Sequence, residues 1–406
     1  MKLLLPGLFS FLLFPAALCA HSQPSAAADQ PAVVSGNNAF AVALYGQLRA
    51  QPGNLFFSPE SISTALAMTY AGASGDTAAE MAKTLHFTLP PERLHPAMGA
   101  LLSDLNAQHN GYQLSVADAL WAEKDFNFLD SFLKLTSSNY GAGFNPVDFK
   151  NAPDAARLTI NQWVDNKTDN KITYLLQPGS VGPLTRMVLT NAIYFKADWE
   201  RPFNIDATED EDFHLSATQT VKAPMMNRTG EFNYFSGGSF QELEIPYKSG
   251  DLSMIIFLPS KIGGLPALEQ SLTAANAQKW LTQLQPVPKV ILSMPKFKMT
   301  QQFGLADTLS AMGMPQAFQE KLADFSGMTG KRDLWISAVV HKAYIDVDEL
   351  GTVAAGATAI EMVAMSRQTQ EPPPVVFKAD RPFLLLIRDN RSGSILFMGR
   401  VADPTK

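Results

Sequence analysis

The side chains of this 406-residue chain that could do covalent or metal chemistry are few and scattered. Its six histidines are His21, His86, His95, His109, His214 and His341. None stands in the H-E-x-x-H pattern that sets two imidazoles and a general base on one helical face. The single cysteine, Cys19, lies in the N-terminal leader. Ser74, in GASGD, lacks the second glycine of the G-x-S-x-G elbow. Triads assemble in space, so spacing alone leaves a hydrolase open. No glycine-rich phosphate loop follows an apolar strand-like run. Asn166-Lys167-Thr168 and Asn227-Arg228-Thr229 match the glycosylation sequon, which arises often by chance. The expectation is a protein that is not an enzyme and that takes no metal and no cofactor.

The most unusual stretch is DELGTVAAGATAIEMVAMSRQTQEPPP, from Asp348 to Pro374. From Gly351 to Ala359 every side chain is small; the second half is polar and ends in three prolines. Small residues suit tight burial, whereas a polar, proline-rich run suits an exposed loop. In a strand, side chains alternate between faces. One face would carry Thr352, Ala354, Gly356, Thr358, Ile360 and Met362, small and then apolar. The other would carry Val353, Ala355, Ala357, Ala359, Glu361 and Val363. No proline between Gly351 and Gln370 removes a ladder donor. The segment therefore reads either as a flexible Ala/Gly linker, the simpler reading by itself, or as a strand fit for the middle of a sheet.

The elements that must position such a segment are legible on either side of it. Composition is that of an ordinary globular protein, 46% hydrophobic and 17% charged, with a formal net charge of -6. No dense Lys/Arg run points to nucleic acid or an acidic polysaccharide. Residues 1–20 have the layout of a secretory signal: one Lys, an apolar run too short to span a membrane, then small residues, with cleavage after Ala20. This implies a secreted or periplasmic protein. Lipid anchoring at Cys19 is the lesser alternative, because bulky Leu18 precedes it. Residues 21–32 read as a polar, Pro- and Ala-rich spacer, and 33–406 as one domain. Helical periodicity begins at Asn37, and Ser58-Pro59 reads as a cap followed by a first helical turn. Strand-like runs follow in RMVLTNAIYFKADW, QELEIPYKSGDLSMIIFLP, KVILSMPKFKMT and DLWISAVVHKAYIDVDE. RPFLLLIRDNRSGSILFMGRVADP reads as a hairpin turning at Asn390 to Gly393. Helices dominate the first half and strands the second, with no linker between them: a single α+β domain.

Several separated motifs, in order from about Ala32 to Pro404, resemble the serpins. NLFFSPESISTALAMTYAGASGDT carries Asn54, Ser58, Pro59, Ser61, Leu66, Gly72 and Thr77; TNAIYFKADWERPF carries Asn191, Phe195, Lys196, Trp199 and Phe203, with Thr208 and Phe213 beyond; HKAYIDVDELGTVAAGAT and FKADRPFLLLIRD close the series. Ala197 departs from the family's usual Gly. The resemblance implies a large central sheet, two further sheets, eight to nine helices and an exposed reactive loop. It implies an inhibitor whose loop is cut by a serine or cysteine endopeptidase and then inserts into the central sheet as a new strand, trapping the acyl-enzyme. The hinge would be Glu349, Gly351, Thr352, Ala354, Ala355, Gly356, Ala357 and Thr358, with Val353 where Glu is common. The family's hinge spacing places the reactive bond between Met365 and Ser366, suited to elastase-, chymotrypsin- or subtilisin-like enzymes. Arg367 is the alternative cut residue, suited to trypsin-like enzymes, and Met362 a further one. Ser58, Ser61, Asn191 and His341 match the family's conformational gate, and Trp199, Lys296 and Glu349 the region where insertion begins, with a Lys296–Glu349 ion pair. The segment PERLHPAMGALLSDLNAQ, where some serpins bind heparin, has one Arg and no Lys, so no heparin is expected. The expected state is a monomer. A non-inhibitory serpin acting as a binding or chaperone protein is the alternative.

Overall fold

The computed structural model describes residues 26–107, 111–141, 144–352 and 373–406. Ten helices lie among them: α1 (Ala26–Leu48), α2 (Pro59–Tyr70), α3 (Gly75–Thr84), α4 (Pro91–Asn106), α5 (Asp130–Tyr140), α6 (Pro153–Lys167), α7 (Leu265–Ser271), α8 (Ala274–Leu281), α9 (Ala306–Met312) and α10 (Ser326–Thr329). The strands are β1 (Leu55–Phe57), β2 (Tyr112–Glu123), β3 (Phe144–Val147), β4 (Met187–Asp198), β5 (Glu209–His214), β6 (Thr220–Ser236), β7 (Phe240–Pro246), β8 (Leu252–Pro259), β9 (Gln285–Pro295), β10 (Phe297–Gly304), β11 (Ala338–Val347), β12 (Gly351–Thr352), β13 (Val375–Lys378), β14 (Phe383–Asp389) and β15 (Ile395–Val401).

They form a six-stranded sheet, β10-β11-β12-β4-β2-β3, and a nine-stranded one, β1-β15-β14-β8-β7-β6-β9-β13 with β5 on β6. The long strand β6 joins the two halves of the latter, and a register shift between Gly230 and Phe232 marks the join. The two smaller sheets implied by the resemblance are these two halves, run together through β6 and β9.

One expectation is corrected. Residues 21–32 are not a spacer throughout, because α1 begins at Ala26. Asp29 is buried there and pairs with Arg93 of α4 through two bonds, at 2.9 and 2.5 Å. The alanines that read as linker material are also good helix formers, and a half-buried ion pair docks the first turns.

Two elements set up the site. Helix α2 starts where Ser58, in an extended conformation, accepts the Ser61 N–H and Pro59 takes the first position. It is buried on all sides from Pro59 to Thr69, which its Ser, Ala and Thr side chains allow. Strand β4 is buried on both faces from Met187 to Phe195. Its inner face meets the main core, with Ile193, Phe195 and Ala197 packed among Trp199, Tyr247 and Met254. Its outer face is roofed by α6 and the segment after it: Val188 packs with Ile160 and Leu176, and Ala192 and Tyr194 with Val164, Ile172 and Leu175. A polar residue in such a strand must find partners inside the protein.

Candidate functional site

The described part of the expected hinge, Glu349, Gly351 and Thr352, sits at one end of the six-stranded sheet. Strands β4 and β11 run parallel and pair directly from Val188/Ala338 to Tyr194/Tyr344. Beyond Tyr194 they part, and β12 lies between them, antiparallel to both: Thr352 pairs with Ala197 on one side and Val347 on the other. Gly351 is packed so closely that a Cβ there would collide with the carbonyl oxygen of Ala197. Thr352 is fully buried, and its hydroxyl is 2.8 Å from the Tyr247 hydroxyl.

The chain entering β12 is held from below. Trp199 stacks on Tyr247 with ring centroids 4.6 Å apart. Its indole N–H donates to the Asp348 carbonyl at 3.0 Å and its backbone N–H to the Leu350 carbonyl at 2.9 Å. The Phe203 N–H donates to the Glu349 carbonyl at 2.8 Å. The Glu349 carboxylate takes the Thr208 hydroxyl and the Lys296 ammonium, each at 2.8 Å. Burial works against its charge, but the Lys296 and Thr208 bonds win, and its carboxyl lies below the usual range. The Lys296 side chain is 37% exposed against 7% for Glu349, so solvent screens the pair, which places the strand more than it stabilises the fold.

Along β4 from there lie the residues expected to form the gate. His341 and Asn191 are register partners on β11 and β4. The Ser58 N–H donates to His341 Nε2 at 3.1 Å, so Nδ1 carries the proton and donates to Asn191 Oδ1. The Asn191 amide donates to Ser61 Oγ and to Asp118 of β2, and the Ser61 hydroxyl donates to Asp118 Oδ1 at 2.8 Å. The Ser58 hydroxyl donates to the Leu396 carbonyl at 2.7 Å. Burial pushes His341 down to about 3, so it is neutral at physiological pH. The arrangement joins β4, β11, β2 and α2 through polar bonds in an apolar interior. No hydroxyl there has the His341 ring as an acceptor, so it is no hydrolase triad. Among the described residues no group of three or more His, Cys, Asp or Glu is set to hold a metal.

The structure thus brings together Ser58, Ser61, Asn191 and His341, the residues expected to form the gate, and brings Trp199 and Lys296, expected where insertion begins, to the expected hinge residues Glu349, Gly351 and Thr352. Ala354, Ala355, Gly356, Ala357, Thr358, Met365, Ser366 and Arg367 lie outside the described residues. Sequence reasoning missed three participants. Asp118 stands in YQLSVADALWAE, a lone carboxylate on the strand face shared with Leu114 and Leu120, and that break in the alternation is the available signal. Thr208 stands only as a family position beyond a motif, and Tyr247 sits inside a strand-like run; only the fold brings them to Glu349 and Thr352.

The family model for serpins, the serine protease inhibitors, matches residues 35–404. The leukocyte elastase inhibitor of Bos taurus is 42% identical over 380 residues, covering 91% of this chain and 99% of that protein. Among solved structures, Serpin48 of the insect Tenebrio molitor is 34% identical with a TM-score of 0.82, covering 93% of this chain and 98% of the other. Human thyroxine-binding globulin in complex with thyroxine is 33% identical with a TM-score of 0.83, covering 93% and 100%. The chain belongs to the serpin family. That places it among protease inhibitors rather than enzymes.

Proposed function

We propose that this serpin is a suicide inhibitor of elastase-, chymotrypsin- or subtilisin-like serine proteases, cut after Met365 and then trapping the acyl-enzyme by inserting its loop between β4 and β11. The observation that carries the reading is β12, already lodged between those strands. Its register can be extended. Thr352 faces Ala197 and Val347, so antiparallel pairing continued by six residues sets Thr358 opposite both Asn191 and His341. Residues 355–361 would replace the seven direct β4–β11 pairs from Tyr194/Tyr344 to Val188/Ala338. Thr352, Ala354, Gly356 and Thr358 would face the core and the gate. Val353, Ala355, Ala357 and Ala359 would slide under α6 and its following segment, where bulk has no room. Insertion of this kind would account for core-sized residues on both faces of the segment.

New backbone bonds at roughly 0.5–1.5 kcal/mol each would supply on the order of 10 kcal/mol, comparable with the whole stability of a domain. The uncut state is then kinetically trapped. The same hinge argues against the alternative of a non-inhibitory binding or chaperone serpin, which needs no such strand. A secreted or periplasmic monomer that does not use heparin completes the proposal. Arg93, the only Lys or Arg of α4, is held by Asp29.

The test of the bait is Met365→Arg. Inhibition should move from elastase-like to trypsin-like enzymes, because a guanidinium pairs with the carboxylate of a trypsin-type pocket. Elastase inhibition left intact would exclude Met365 and bring Arg367 forward.

A further inference from the structure

The gate contains a carboxyl that strand insertion does not require. Asp118 Oδ1 accepts from Ser61 and Asn191, but Oδ2 is buried with no partner among the described residues. Glu60, on the first turn of α2, is buried beside it and is met by the Thr64 hydroxyl at 3.1 Å. Among the described residues no cation is bonded to either carboxyl. From β11 the nearest titratable group is His341, neutral behind Asn191. From α6 come Asp165, which faces Lys342, and Lys167, whose ammonium stands 5.9 Å from the centre of the Trp163 ring. From α4 and α5 come His95 and Tyr140, bonded to each other at 2.6 Å. A cavity of about 190 Å³, lined by Thr64, Asp118, Tyr140, Trp163 and the exposed Gly141 and Lys167, gives Asp118 a path to solvent.

We propose that Asp118, assisted by Glu60, is a proton latch on the six-stranded sheet: its carboxyl is neutral while β4 and β11 are joined and yields its proton to water when they part, so that the sheet opens more readily as pH rises. The proposal rests on the reading of this sheet as one that opens to admit a strand. Two carboxyls in one apolar interior cannot both be charged cheaply, whereas water entering the parted sheet solvates them. Burial, with Glu60 adding to it, holds Asp118 well above the usual carboxylate range, and burial pushes Glu60 up to about 7.

The sign follows from linkage. A group whose closed-state value is raised stabilises the closed state fully below its open-state value, and that contribution is lost as pH rises through the closed-state value. His341 acts in the opposite sense. Its lowered value stabilises the closed sheet above its ordinary value near 6.5, and that contribution is lost as pH falls. The opening rate should therefore pass through a minimum, with Asp118 and Glu60 responsible for the alkaline limb.

The test is the rate at which a synthetic peptide with the sequence of residues 352–363 anneals into the intact protein between pH 5 and pH 9, read by native gel and by the gain in thermal midpoint. The wild-type rate should climb on the alkaline side by about tenfold or more in total, and by at most about tenfold per pH unit for each proton released. Asp118→Asn imitates the neutral carboxyl and should remove most of that limb while leaving the acid limb. Glu60→Gln should move the limb to lower pH. A flat wild-type profile, or profiles of the same shape in wild type and both variants, would overturn the latch while leaving the inhibitor reading in place. A wild-type protein that takes up no peptide at any pH would overturn both.

Discussion

Thr352 is the residue on which the account turns most directly. It is fully buried, bonded to Tyr247 and flanked by β4 and β11. Arginine there would bring a charge into a closed layer, at a cost of several kcal/mol, and its bulk would press on Tyr247 and Trp199. The proposed bait, Met365, lies 13 positions further along the sequence, so recognition and cutting should be unchanged. The expected outcome for Thr352→Arg is a substrate: the protease cuts the same bond and is released, and denaturing gels show cleaved serpin with little covalent complex. As much complex as the parent forms would exclude hinge-first insertion. Much of this residue-level detail was legible, because Gly351, Thr352, Ser58, Asn191 and His341 fall in motifs whose spacing survives in the linear chain. What was not legible depends on distance in sequence. Tyr247 precedes Thr352 by 105 positions, and Asp118 and Asn191 are 73 apart. Only the pairing of strands defines those neighbours.

At the scale of elements, the proposed gate is the joint between β4 and β11. Removing the Asn191 side chain leaves His341 Nδ1–H without its acceptor and takes one donor each from Ser61 Oγ and Asp118, although Asp118 keeps the Ser61 hydroxyl. Buried polar groups so orphaned cost about 1–3 kcal/mol each. Asn191→Ala should lower the thermal midpoint of the uncut protein and hasten spontaneous insertion or self-association on warming. Native gels after mild heating measure this, and a variant as durable as wild type would remove the gate from the account. Strands β4, β11 and the β14–β15 hairpin could be read because their apolar runs are long and bounded by turn residues. Strand β2 could not, since Gln113, Ser115 and Asp118 dilute its pattern. The start of α1 was read as a linker because Ala and Pro are ambiguous there until Asp29 meets Arg93 on α4.

For the whole molecule, insertion as a middle strand implies that the uncut chain is not at its most stable arrangement. Cleavage between Met365 and Ser366 should free the loop to enter, and the thermal midpoint should rise by roughly 10 °C or more. Melts of intact and cut protein compare the two directly, and an equal or lower midpoint after cutting would contradict a trapped native state.

The most direct measurement of the central claim is denaturing electrophoresis, with mass spectrometry, of the protein incubated with an elastase-like protease. A covalent complex of protease and serpin that survives denaturation is predicted, together with a peptide that begins at Ser366. Complete cleavage of the loop with active protease recovered and no covalent complex would contradict it.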